Sequence, residues 1–224
     1  METSRIFLLS PADCSGRRGK QVLSLRASSE LAESLRSRRG VPIGDLFSFV
    51  SSLYFRGKLT YARRFARPPD PSNPIIGTGV LVITPNAGLR SPETTVTEAA
   101  IRAFARGDVA ADNLQYRRPL EASARLLLDA IGPDCEVVLL GSVASPKYVE
   151  VLGAIFGARL QFPIAFVGRG DMSRGGLLLR HANDEVELDY APVAGAVLHG
   201  ARPPQLPPLK GSARLKPSSL RSRQ

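Results

Sequence analysis

Chemistry-bearing residues in this chain gather in four short stretches rich in polar side chains and glycine. The first is Ser10-Pro-Ala-Asp-Cys-Ser-Gly-Arg-Arg-Gly-Lys20. Its glycines free backbone amides, and Ser15, Arg17, Arg18 and Lys20 add donors, a combination suited to a phosphate or another anion. Cys14 lies among these cations, which would favour its thiolate and make it a candidate nucleophile. A small buried residue at a turn is the commoner role of such a cysteine. The second stretch, Thr84 to Leu89, offers Asn86, whose amide can read a base or sugar edge or simply make the turn between Pro85 and Gly88. The third, Gly141 to Lys147, runs into a helix start with Ser142, Ser145 and Lys147 beside free amides, an arrangement that serves anion binding or ordinary capping. The fourth, Gly168-Arg-Gly-Asp-Met-Ser-Arg-Gly-Gly176, has four glycines in nine residues and carries Arg169, Asp171 and Arg174. Asp171 is the candidate general base there, or else an ion-paired structural group between two arginines.

Several familiar chemistries are missing. The first loop lacks the GxxxxGK[ST] spacing of a Walker A loop, and no GxSxG nucleophile elbow occurs. A zinc site of His and Cys alone would need all of Cys14, Cys135, His181 and His199, which show no metal-ligand spacing, so no metal site is assigned. No cofactor is indicated. Tyr116-Arg117-Arg118 precedes a helix and offers an aromatic beside two cations, a pairing found in base stacking and in ordinary solvated helix starts.

The elements around these stretches form an alternating pattern. Arg5 to Leu9, Gly79 to Thr84, Cys135 to Leu140 and Leu160 to Val167 are short apolar runs with the composition of strands buried on both faces. Pro163 inside the last suggests a bulge or an edge position. Helices are expected over Glu30 to Arg39, from Asp45 through a stripe of Leu46, Phe49, Val50, Leu53 and Tyr54, over Thr97 to Arg106, over Pro119 to Ile131, and from Ser145-Pro146 to Phe156. Arg56, Lys58, Arg63, Arg64 and Arg67 cluster towards the end of the second of these, where cations suit the helix dipole. Leu177 to His181 and Glu185 to Tyr190 read as a hairpin, and Val193 to Leu198 as one more strand. The expected fold is α/β: a mostly parallel sheet, helices on both faces, and an antiparallel C-terminal edge. In such a sheet ligands bind at the carboxyl ends of strands, which is where all four stretches fall.

Composition bounds the rest. The chain has 224 residues, 43% of them hydrophobic, and a net charge of +10. Its length suits one domain, taken as residues 1–200, followed by a basic, proline-rich tail over 201–224 that should be extended or disordered. Residues 1–70 carry +7, residues 71–200 carry −3 and the tail carries +6. Whole-chain basicity is therefore weak evidence for a nucleic-acid surface, and an arginine excess of 25 over 5 lysines also follows from coding bias. No apolar run reaches the roughly 18–20 residues of a membrane span, and no secretory signal is recognisable, so a cytoplasmic protein is expected.

Three segments carry a resemblance. They are Ile6 to Ser10 leading into the loop with Cys14, Ser15 and Lys20; a helix with Leu53-Tyr54-Phe55-Arg56 and Tyr61-Ala62-Arg63-Arg64; and the strand ending Ile83-Thr84-Pro85-Asn86-Ala87-Gly88-Leu89. Over about the first 90 residues the order of these features resembles bacterial α/β families: domain-of-unknown-function proteins linked to nucleic-acid modification, and the peroxide-stress DNA-binding family. The chain departs from them at Thr84-Pro85-Asn86, where they place small and basic residues. The resemblance implies a nucleotide or nucleic-acid connection. The expected function is binding of a phosphate-bearing ligand, nucleotide or nucleic acid, at the strand ends, with nucleotide or nucleobase processing if the protein is an enzyme. The alternative is a non-catalytic nucleic-acid-binding module using the basic N-terminal third and tail.

Overall fold

The computed structural model describes residues 3–24, 26–197 and 199–206. Strands β1 (Arg5–Leu9), β2 (Val41–Pro42), β3 (Val80–Ile83), β4 (Leu89–Arg90), β5 (Thr95–Val96), β6 (Glu136–Leu140), β7 (Leu160–Pro163) and β8 (Tyr190–Pro192) alternate with helices. The helices are α1 (Arg17–Val22), α2 (Glu30–Arg36), α3 (Ile43–Ser51), α4 (Leu53–Phe65), α5 (Glu98–Arg106), α6 (Leu114–Ile131), α7 (Pro146–Phe156) and α8 (Asp171–Asp184). Six strands form one sheet in the order β4-β3-β1-β6-β7-β8, while β2 and β5 pair separately. The four central strands are parallel, and both flanking strands, β4 and β8, run antiparallel to their neighbours. The α/β fold with an antiparallel C-terminal edge is thus present.

Alternation along each strand builds two cores. Phe7, Leu9, Val80, Val82, Val138 and Leu140 face one way, packing with side chains of α1 to α5 and α8. Ile6, Leu8, Leu81, Ile83, Val137 and Leu139 face the other way, onto α6 and α7. Continuous apolar runs with no polar face therefore mark strands covered on both sides. From β1 the chain winds outward to β3, then crosses back to β6 on the opposite flank. The carboxyl ends of β1 and β6 accordingly flank a topological switch point, the usual ligand crevice of an open α/β sheet.

Several local readings need correction. The segment from residue 168 to 190 is not a loop and hairpin, since Asp171 to Asp184 is helix α8 and only Tyr190–Pro192 is strand. Gly175 serves close packing on α4 rather than a turn: a Cβ there would lie 2.8 Å from the Leu53 carbonyl oxygen, and one on Gly57 of α4 would lie 2.6 Å from the Gly175 carbonyl oxygen. The helical region from residue 45 is two helices broken at Ser52, whose φ of 54° lies in the left-handed region. Helix α6 begins at Leu114, capped by the Asn113 side chain accepting from the Gln115 amide, so Tyr116, Arg117 and Arg118 lie inside it. Finally, Pro163 ends β7 instead of marking an edge, because β8 flanks that strand and a single 3₁₀ turn, Ile164–Phe166, follows. Residues 193–197 are not strand, and Leu198 and the tail from residue 207 lie outside the described residues. The first tail residues touch the domain, with Arg169 donating to the Pro204 carbonyl oxygen at 3.4 Å.

Candidate functional site

A cleft of about 690 Å³ opens at the carboxyl ends of the central strands. Its walls come from the loop after β1, the turn after β3, the loop after β6, the ends of α3 and α5, and the first turns of α7 and α8.

The loop after β1 is shaped by Asp13, whose carboxylate accepts from the Ser15 amide at 2.9 Å and its hydroxyl at 2.6 Å. This Asx-type turn starts α1 and brings Arg17 and Arg18 to the cleft wall. Gly19 is required beneath them, because a Cβ there would sit 1.9 Å from the Cys14 carbonyl oxygen. Arg18 also donates to the Phe49 carbonyl oxygen at 3.0 Å, which ties α1 to the end of α3. Lys20 is exposed and is not part of the wall. Cys14 lines the cleft but is only 2% exposed. Burial and the charge of Asp13 push its thiol up to about 12, which overturns the expectation of a thiolate favoured by nearby cations.

After β3, Thr84 closes its own turn. Its hydroxyl donates to the Gly88 carbonyl oxygen at 2.8 Å and accepts from the Ala87 amide at 2.9 Å. Pro85 reaches the cleft from this turn, whereas Asn86 is half-buried outside the wall. After β6, Gly141 packs so closely on Ser10 that a Cβ would lie 3.0 Å from the Ser10 Cβ. Ser142 and Lys147 line the cleft beyond it. Ser145 caps α7 by position without a side-chain hydrogen bond, and its buried hydroxyl faces a neighbouring hollow with Pro146 and Glu150.

On the α8 side only Asp171 reaches the cleft, from the exposed start of the helix. Arg174 is 8% exposed and works behind it, donating to the Phe166 carbonyl oxygen at 3.1 and 3.3 Å. It approaches Asp171 at 3.8 Å. Arg169 turns away, bonding the Ala165 carbonyl oxygen at 3.0 Å and Ser173 at 3.2 Å. The structure therefore brings together Cys14, Ser15, Arg17, Arg18, Ser142, Lys147 and Asp171. It leaves Lys20, Asn86, Ser145, Arg169 and Arg174 out of the cleft wall.

Sequence reasoning missed the floor of the site. Lys58 is fully buried on α4, and its Nζ donates to the Ser10 carbonyl oxygen at 2.6 Å and lies 2.8 Å from Ser10 Oγ. The amine sits 4.4 Å from the centre of the Tyr54 ring and 4.9 Å from that of Phe55. Burial lowers its pKa to about 7; Asp171 partly offsets this, while Arg174 and Lys147 add to it. Tyr54 and Tyr148 line the cleft beside it. Burial pushes the Tyr54 hydroxyl up to about 12 and raises that of Tyr148 further. The signal in the sequence was a lysine on an apolar stripe: Lys58 lies four residues after Tyr54, on the face that buries Tyr54, Phe55, Leu59 and Ala62.

Among the described residues no group of three or more His, Cys, Asp or Glu side chains is placed to hold a metal ion, and no helix is long and apolar enough to cross a membrane. Comparisons with protein-family models, curated proteins and solved structures return no match to this chain.

Proposed function

We propose that the cleft binds a small phosphate-bearing ligand of the nucleotide class. The observation that carries this reading is the meeting of Arg17 and Arg18 from the start of α1 with Lys147 from the start of α7 at the switch point of the sheet. Cations on helix first turns at that position can neutralise phosphate with charge-assisted hydrogen bonds. The cleft also carries Asp13, Asp108 and Asp171. Carboxylates repel a bare phosphate but accept hydrogen bonds from sugar hydroxyls and base amino groups, so the mixed lining favours a nucleotide over inorganic phosphate. A volume near 690 Å³ lies within the usual range for small-molecule sites.

Titration calorimetry with a panel of nucleoside mono- and diphosphates tests this. Arg17→Ala and Lys147→Ala should each weaken binding about tenfold, the equivalent of about 1.4 kcal/mol. Binding of no nucleotide, or affinities unchanged in both variants, overturns the reading. Binding confined to long nucleic acid and lost steeply with salt would instead favour a nucleic-acid module using the basic N-terminal third and tail.

A further inference from the structure

The geometry points to Ser10 and Lys58 as a nucleophile and general-base pair at the floor of the cleft, acting on an acyl ester carried by the cleft's ligand. Only the identity of that carrier rests on the phosphate reading above. The chemistry of the pair stands apart from it.

Three observations converge on these two residues. First, Ser10 is the residue that leaves β1 at the switch point, and it lines the cleft although only 5% exposed. Second, the contacts of Lys58 divide its functions. The Ser10 carbonyl oxygen, 2.6 Å away, can only accept, so it takes one N–H and fixes the amine. Ser10 Oγ, 2.8 Å away, is able to donate, so a neutral amine turns its lone pair to that hydroxyl. Third, no carboxylate hydrogen-bonds or ion-pairs with Lys58 among the described residues, so no paired counter-ion holds the buried amine in its charged form. The groups facing the amine are Asp171 and Arg174 from α8, Lys147 from α7 and the Tyr54 and Phe55 rings on its own helix. Their balance and the burial of the site bring the amine to titrate at about 7, so a large share of it is neutral at neutral pH, the state a base needs. Gly141 belongs to the same construction, since any side chain there would press on Ser10.

The step balances without a metal or redox partner. Ser10 Oγ attacks the ester carbonyl carbon while its proton passes to Lys58 Nζ, and the carbonyl electrons move onto oxygen. Collapse of the tetrahedral species breaks the bond to the leaving alkoxide, which takes the proton from Lys58. Water then attacks the acyl-Ser10 ester, giving its proton to Lys58, and Ser10 recovers a proton from that amine as the carboxylic acid departs. One water is consumed and the enzyme is regenerated. Tyr148, whose hydroxyl burial keeps protonated, lines the same wall and interacts with the Ser10 side chain.

Acylation by p-nitrophenyl acetate tests the pair without requiring the natural substrate. The full chain should release a stoichiometric burst of p-nitrophenolate, with the acetyl group located on Ser10 by peptide mass spectrometry. The burst rate should rise about tenfold from pH 6 to pH 8, as a base titrating near 7 requires. Ser10→Ala should abolish the adduct, and Lys58→Met, at an unchanged melting temperature, should slow it at least a hundredfold. No adduct on Ser10, a rate independent of pH in the wild-type chain, or undiminished labelling in Lys58→Met overturns the proposal. The wild-type pH profile decides the matter even if Lys58→Met fails to fold. Adenosine diphosphate at millimolar concentration separates the two readings. Labelling of Ser10 without protection by the nucleotide supports the pair and removes its phosphate-bearing carrier, whereas nucleotide binding with no Ser10 labelling removes the pair alone.

Discussion

Strand β1 ends in two buried polar clusters of opposite character. At its start, Arg5 donates to Glu136 at 2.5 and 2.9 Å and pairs with Glu187. Glu187 in turn accepts from Arg67 at 3.0 Å and from the Tyr190 hydroxyl at 2.9 Å. Tyr190 and Tyr61 share a hydrogen bond of 2.6 Å, and the Tyr61 oxygen accepts from the Leu188 amide at 2.8 Å. Burial opposes the charge on Arg5, but Glu136 and Glu187 outweigh it and hold its pKa above the ordinary value. Each charge there meets an opposite charge. Just past the other end, Lys58 is more deeply buried, and among the described residues its hydrogen bonds go to Ser10 alone. The nearby Tyr54 hydroxyl is buried without a hydrogen bond of ordinary geometry. A closed network joins β1, β6, the end of α4 and the chain around β8; an open one lines a cleft. Incomplete satisfaction of buried groups is costly, and its concentration at the cleft end of β1 is what the proposed site rests on.

Breaking the closed end should have the larger effect on stability. Arg5→Leu leaves Glu136 and Glu187 without their shared cation at a site where the arginine side chain is 11% exposed. Loss of about 3 kcal/mol is expected in urea denaturation, following the cost of removing one member of a buried ion cluster. Nucleotide affinity should be unchanged in the surviving folded fraction, because Arg5 and Ser10 lie at opposite ends of the strand. A loss below about 1 kcal/mol would show that this end is a surface network of little consequence.

Gly175→Ala ranks next and strikes the open end through the fold. The added Cβ would meet the Leu53 carbonyl oxygen and the Tyr54 Cα, both at 2.8 Å. Backbone cannot swing aside as a flexible side chain does, so α4 and α8 must separate at a cost of about 2 kcal/mol. Lys58 rides on one of these helices and Asp171 on the other, so ligand affinity and Ser10 acylation should fall together with stability. Stability lost with both functions intact would detach the helix pair from the site.

That same contact explains what the sequence revealed and what it hid. Strands β1, β3 and β6 were legible because continuous runs such as Ile6-Phe7-Leu8-Leu9 have no polar face to present to water. Helix α7 was legible from Ser145-Pro146 at its start. Helix α8 was not, because Gly175 and Gly176 carry a local signal for a turn, and the close approach to α4 that requires Gly175 is a tertiary fact. Gly19 hides α1 in the same way, within a stretch that reads as a glycine-rich, cationic loop. At the site, the strand-end rule located the cleft and the Arg17, Arg18 and Lys147 rim. The floor stayed hidden because Ser10 and Lys58 are 48 positions apart, and Lys58 sits among arginines that look like a solvated helix end.

The finest test of the contrast between the two ends is the pH dependence that Lys58 imposes on stability. Its pKa is about 10.5 when unfolded and about 7 when buried, so between those values the unfolded chain binds more protons than the folded one. Stability from this group is therefore fully present above the unfolded value and is lost as pH falls through that window towards 7. Raising the pH from 7 to 8 should stabilise the wild-type chain by about 1 kcal/mol relative to Lys58→Met, in which that ionisation is absent. Urea denaturation of both proteins at the two pH values measures the difference. The closed end offers no counterpart, since the arginine there stays charged in both states throughout that range. Equal pH responses in the two proteins would mean that the buried amine is charged at neutral pH. Such a lysine would be a donor to Ser10 and no base, and the open end of β1 would then be a second staple.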